Sequence, residues 1–154
     1  MTRLTSIEEA RHKVLAEASP LETELISLSE ALGRVLAQEI VAPHPLPPFD
    51  NAGMDGYAVR AADLVDATPE SPIALEIIDV IPAGRVSTRS VGPGQAAKIM
   101  TGAPIPGGAD AVVQVEATEE TEGRVLVREA VRPGRNIRRA GEDVAAGESV
   151  LAAG

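Results

Sequence analysis

The sequence predicts an α+β protein, an N-terminal helix and strand unit followed by a small domain of β-barrel or β-sandwich type. A capping box with helical apolar spacing occurs once, near the start. Short apolar runs of strand length recur between Ile73 and Glu129, and Gly- or Pro-containing turns separate most of them. The expected organisation is a helix/strand, dimerisation-type unit over 1–46, a β-rich domain over 47–135, and a return segment over 136–154 heading toward the N-terminal unit.

Ser6 and Glu9 have the spacing at which a Ser side chain satisfies an orphan N–H and a Glu reaches back. Ile7, Ala10, Val14 and Ala18 then repeat at helical spacing until Ser19-Pro20 stops the run. The stripe is narrow, so the helix needs another segment or subunit to lean on. Glu22–Leu28 has the length and apolar content of a strand, Ser29–Gly33 reads as one or two helical turns closed by glycine, and Val35–Ala42 is again extended. Pro43, Pro45, Pro47 and Pro48 mark a candidate linker, because each ring fixes φ and biases its predecessor away from helix. Arg60–Val65 reads as a short helix. Strands are expected at Ile73–Ile81, Ala96–Met100, Asp110–Glu116 and Arg124–Glu129, with Ala117–Gly123 as a hairpin whose acidic tip is solvated. No internal repeat is evident.

Composition excludes several function classes. With 14 basic and 23 acidic residues the net charge is −9, which opposes nonspecific binding to polyanions, so neither nucleic acid nor an anionic membrane is expected as a partner. The absence of cysteine removes thiolate catalysis and thiolate-bound zinc. His12 and His44 fall in the helix and the proline stretch, poor places for a metal site or a catalytic triad. Phe49 and Tyr57, the only aromatics, make no stacking platform. No membrane-length apolar run or secretory signal is read, so the expected setting is cytoplasmic.

Within this turn-rich chain, segments 47–59, 99–106 and 134–143 are unlike ordinary turn filler. In the first, Asp55-Gly56 reads as a turn dipeptide, with a carboxylate aimed at a cation from a rigid loop as the alternative. In the second, Thr101, Gly102 and Ala103 form either a proline-braced turn or a nest whose hydroxyl and amides converge on an oxyanion. In the third, Arg135, Arg138 and Arg139 beside Glu142 and Asp143 form either a solvated ion-pair cluster or an oxyanion and Mg²⁺ site. Taken together, oxyanion donors and cation-binding acids fit phosphoryl or oxyanion chemistry assisted by a hard metal.

The strings PPFDNAGMDGYAVR, KIMTGAPIPGGADAVV and GRNIRRAGEDV, in this order, resemble the signature segments of molybdopterin molybdotransferase, the MoeA family, related to the gephyrin E domain and its plant counterpart. The resemblance runs along essentially the whole chain. It departs at Ala52-Gly53, where the family has Ser-Ala, and the family's MogA-like α/β domain and C-terminal β domain have no counterpart in these residues. It implies insertion of molybdate into adenylylated molybdopterin with release of AMP, a homodimer with the site between subunits, and small-molecule substrates. It places Asp55, Thr101, Arg138 and Asp143 on active-site positions. The roles it suggests are oxyanion binding by Thr101, Gly102 and Arg138, and catalysis with Mg²⁺ binding by Asp55 and Asp143. Because these groups position and polarise without gripping the pterin, the chain alone is expected to be inactive. The other classes of function consistent with the residues are a gephyrin-type, non-catalytic scaffold and a small-oxyanion binding module.

Overall fold

The computed structural model describes residues 5–154 and divides them into two units, one of the described residues up to Glu39 with Ala152–Gly154, the other Ile40–Leu151. The first four residues of the expected 1–46 unit lie outside the described residues.

In the first unit, helix α1 spans Ile7–Glu17, and both halves of the expected capping box form. The Glu9 amide donates to Ser6 Oγ at 3.1 Å and the Ser6 amide to Glu9 Oε2 at 3.2 Å. No helix residue is buried. The strand expected at Glu22–Leu28 does not form: the segment is irregular up to a single 3₁₀ turn at Leu28–Glu30, with Leu25 and Leu28 fully exposed. Strand geometry persists only where a neighbour takes up its N–H and C=O groups, and none pairs here among the described residues. Gly33, at φ 80°, follows the 3₁₀ turn.

The second unit is nearly all β: β1 Ile40–Val41, β2 Asn51–Ala52, β3 Gly56–Val59, β4 Ile73–Ile81, β5 Gln95–Ile99, β6 Ala111–Gln114, β7 Thr118–Thr121, β8 Arg124–Val127, β9 Ile137–Arg138 and β10 Ser149–Leu151. Strands β4, β5, β6 and β8 match the expected runs to within a few residues. The Arg60–Val65 helix is a 3₁₀ turn at Ala61–Leu64. Strands β2, β3, β7, β9 and β10 were not expected, and the described residues are mostly β with one α-helix.

Six strands form one curled, half-barrel sheet in the order β6-β3-β5-β4-β8-β7. It is not purely antiparallel: β4 and β5 run parallel, with a register break between Ile77 and Asp79. Alternation along β3 sends Tyr57 and Val59 into one apolar cluster, with Leu64, Leu75, Val113, Val125 and Val127. Ala58 goes to the other, with Ile81, Ala97, Ile99 and Val112. Both faces of β3 are therefore buried, which explains why it carries no polar alternation to read.

Two-stranded ladders β1–β10 and β2–β9 complete the unit. The proline stretch belongs to it: the Leu46 amide donates to the Val144 carbonyl at 2.8 Å, and Pro47 is buried. No helix among the described residues is long and apolar enough to cross a membrane.

Candidate functional site

Strand β2 is short, but it joins all three unusual strings. On one side it pairs with β9, with Asn51 opposite Arg138 and Ala52 opposite Ile137, while the Gly53 amide donates to the Asn136 carbonyl at 2.8 Å. On the other side the Gly102 amide donates to the Ala52 carbonyl at 2.8 Å, the Ala52 amide to the Ala103 carbonyl at 3.0 Å, and the Ile105 amide to the Asp50 carbonyl at 3.1 Å. Arg138 and the Thr101–Ala103 turn thus lie on opposite flanks of one strand, about 10 Å apart in backbone by ordinary strand spacing.

The four principal candidates sort into two hydrogen-bonded pairs. Oδ1 of Asp55 accepts from both the amide of Thr101, at 2.7 Å, and its hydroxyl, at 2.6 Å. These bonds, the hydroxyl's first, hold the Asp55 carboxyl below the usual carboxylate range. Asp55 Oδ2 accepts no hydrogen bond from a described residue. Across β2, Arg138 Nη2 donates to Asp143 Oδ2 at 2.5 Å, with both side chains about half exposed (46% and 55%).

Backbone geometry fixes the first pair. Asp55 immediately precedes β3, and Thr101 lies two residues beyond β5, where Gly56 faces Ile99 in the β3–β5 ladder. The Asp55–Thr101 bond therefore closes the end of that ladder. Asp55-Gly56 is not a turn, as Gly56 is the buried first residue of β3. A Cβ there would lie 1.9 Å from the Val113 carbonyl oxygen, so glycine is required for the close approach of β6.

Of the two readings of Thr101–Ala103, the arrangement is that of the turn, with all three amides engaged within the protein. The Gly102 amide is held by Ala52, the Ala103 amide donates to Met100 at 3.0 Å, and the Thr101 amide serves Asp55. Gly102 instead supplies the left-handed turn, at φ 80°. The Thr101 hydroxyl donates to Asp55, which leaves it only acceptor capacity toward a ligand. Arg138 retains N–H groups beyond the one given to Asp143, and so is the free oxyanion donor among the candidates.

Asp50 lies in the first of the three strings but is not among the site residues expected from the sequence. Its Oδ1 accepts the Ala140 amide at 2.8 Å and its Oδ2 accepts Arg139 Nη1 at 2.5 Å. The Ala140 bond first, and then Arg139, hold its carboxyl below the usual range. Nothing local marks it for this task, because its partners lie far along the chain. Glu142, which accepts the Arg139 amide at 2.8 Å, adds a further acid. Around β2, Asp50, Asp55, Glu142 and Asp143 therefore outnumber Arg138 and Arg139. A bare oxyanion meets a field of its own sign unless a cation accompanies it.

No group of three or more potential metal-ligating side chains gathers among the described residues. Beside Asp55, a recess of about 150 Å³ is lined by Tyr57, Lys98, Met100 and Val115.

A family model described as the MoeA N-terminal region, domains I and II, matches residues 5–154. The chain is 46% identical over 148 residues to a molybdopterin molybdenumtransferase 2 of Mycobacterium tuberculosis (strain H37Rv), covering 96% of this chain and 36% of that protein. To the molybdopterin molybdenumtransferase of Bacillus subtilis (strain 168) it is 43% identical over 152 residues, covering 96% of this chain and 35% of the other. A crystal structure of the molybdopterin biosynthesis moeA protein from Pyrococcus horikoshii OT3 aligns with 99% of this chain and 40% of that one, at a TM-score of 0.93 and 42% identity. The chain thus spans little more than a third of the length of the curated relatives it matches.

Proposed function

This chain belongs to the family of MoeA N-terminal regions, and from that premise we propose that it supplies the oxyanion-positioning face of a molybdopterin molybdotransferase site. The reaction is insertion of molybdate into adenylylated molybdopterin with release of AMP. The observation that carries this reading is the pair of hydrogen-bonded couples on either flank of β2, Asp55 with Thr101 and Arg138 with Asp143.

In this reading Arg138 directs its remaining N–H groups at an oxygen of molybdate or phosphate, and Asp143 keeps the guanidinium turned to that task. Thr101 fixes Asp55 through two bonds to one oxygen, so that Oδ2 keeps a constant direction. The carboxylates fit Mg²⁺ only as one or two protein ligands whose shell is completed by water and substrate oxygens, a usual arrangement for this ion. Bound there, Mg²⁺ would neutralise charge on the pyrophosphate being cleaved. The protein's own groups position both partners, and positioning accounts for much of the rate in reactions of this type.

The site residues are exposed, which supports a half-site completed by another surface and a chain that does not turn over alone. The first unit supports a homodimer, because α1 leaves Ile7, Val14 and Leu15 more than half exposed.

The test is to incubate the purified chain with molybdate, adenylylated molybdopterin and Mg²⁺, following AMP release and, by equilibrium dialysis, bound molybdate. Mg²⁺-dependent molybdate retention with little AMP release is expected. No retention under any of these conditions would overturn the oxyanion reading, and AMP release at the rate of a complete relative would overturn the half-site.

A further inference from the structure

We propose that Asp50 is a positioning residue that sets the place of the Arg138 guanidinium, resting on the reading of Arg138 as the oxyanion donor. The β2–β9 ladder is only two residues long, too short to hold its register alone. It is pinned at both ends. Before Arg138, the Gly53 amide holds the Asn136 carbonyl; after it, the Asp50 carboxylate holds the Ala140 amide and the Arg139 guanidinium.

The same residue's carbonyl takes the Ile105 amide at 3.1 Å, so Asp50 links the segment carrying Arg138 to the one that follows Thr101. Other bonds hold the chain farther on, from the Gly141 amide to the Pro47 carbonyl inside the turn that Glu142 closes and from the Asp143 amide to the Leu46 carbonyl just after it. Of the side chains in this cluster, Asp50, immediately before β2, alone bonds Arg139 and Ala140 from another segment of the chain. Its two oxygens engage different kinds of donor, a backbone amide and a guanidinium, so neither neutral nor shortened side chains reproduce the clamp. Asn keeps an acceptor for Ala140 but turns an N–H₂ toward Arg139; Ala keeps neither.

The experiment compares the chain with Asp50→Asn, Asp50→Ala and Arg139→Gln by ¹⁵N NMR of the Arg138 Nε–Hε group and the Ala140 and Thr101 amides. Molybdate affinity is measured alongside by dialysis with Mg²⁺. Expected are a displaced Arg138 Nε–Hε signal in every variant, a Thr101 amide that stays in place, and affinity lower by about fivefold, the equivalent of one exposed charge-assisted hydrogen bond. The Asp50 and Arg139 effects should also be non-additive in the double variant. Should Asp50→Ala fail to fold, Asp50→Asn and Arg139→Gln carry the same readouts. Arg138 signals unmoved by Asp50→Asn and Arg139→Gln would overturn the proposal, as would unchanged affinity in a chain that binds molybdate. A displaced Arg138 signal in a chain that binds no molybdate would leave the clamp standing and overturn the functional reading instead.

Discussion

The Tyr57 hydroxyl donates to Glu120 Oε2 at 2.5 Å, although β3 and β7 are separated in the sheet by β5, β4 and β8. The curl of the sheet brings them together, and Lys98 on β5 completes the group at 2.6 Å from the same oxygen. Glu120 was read as part of a solvated hairpin tip; it is instead a latch across the open side of the half-barrel.

Tyr57→Phe removes one charge-assisted bond while leaving the ring in the core. Glu120 is 45% exposed, so the loss should be near the low end for such bonds, about 1 kcal/mol, or about 3 °C in Tm. Lys98 first, and then Tyr57, lower the Glu120 pKa from 4.5. The associated stability is therefore present above pH 4.5 and lost as pH falls through the lowered folded value. Thermal unfolding against pH should show a shallower acid decline in the variant, and superimposable profiles would contradict the latch.

Gly56→Ala should be among the most damaging small substitutions in the chain. The added Cβ meets backbone at 1.9 Å, so β3 and β6 must separate, at about 3 kcal/mol. Gly102→Ala meets nothing within 4 Å and bears only the strain of φ 80°, about 1 kcal/mol. Denaturant melts of the two variants should rank in that order, and the reverse order would show that the β3–β6 approach is not limiting.

Asp143→Asn should tighten oxyanion binding in the absence of Mg²⁺, because it removes a like charge beside Arg138. The gain expected for an exposed pair is roughly threefold to tenfold. With Mg²⁺ present the same variant should bind no better than the parent chain. Dialysis with molybdate, with and without Mg²⁺, measures both arms; weaker binding without Mg²⁺ would mean that the weakened hold on Arg138 outweighs the relief of like charge.

Self-association should follow from the first unit, where Leu21, Leu25, Leu28 and Leu32 are each more than 90% exposed. Sedimentation should report a dimer at micromolar concentration, and Leu25→Glu with Leu28→Glu should shift it toward monomer. A monomer at high concentration in the parent chain would contradict this.

Features written within a few neighbouring residues could be read directly from the chain. The Ser6–Glu9 capping box, the start and end of β4, and the turns between later strands depend on side chains and dihedrals three or four positions apart. The three site strings stood out for the same reason, as dense local departures from ordinary turn composition. Pairing was decided only by the tertiary structure. The burial of β3 on both faces, the parallel β4–β5 contact and the latch from Tyr57 to Glu120 join segments far apart in sequence. So does the division of the candidates into Asp55 with Thr101 and Arg138 with Asp143, arranged around β2. Glu22–Leu28 shows the converse, an apolar segment of strand length that is no strand, because no neighbour among the described residues accepts its backbone. Hydrogen bonds need two partners. A sequence names each partner, but the choice between them belongs to the folded chain, where the alternative to a bond is an unsatisfied polar group.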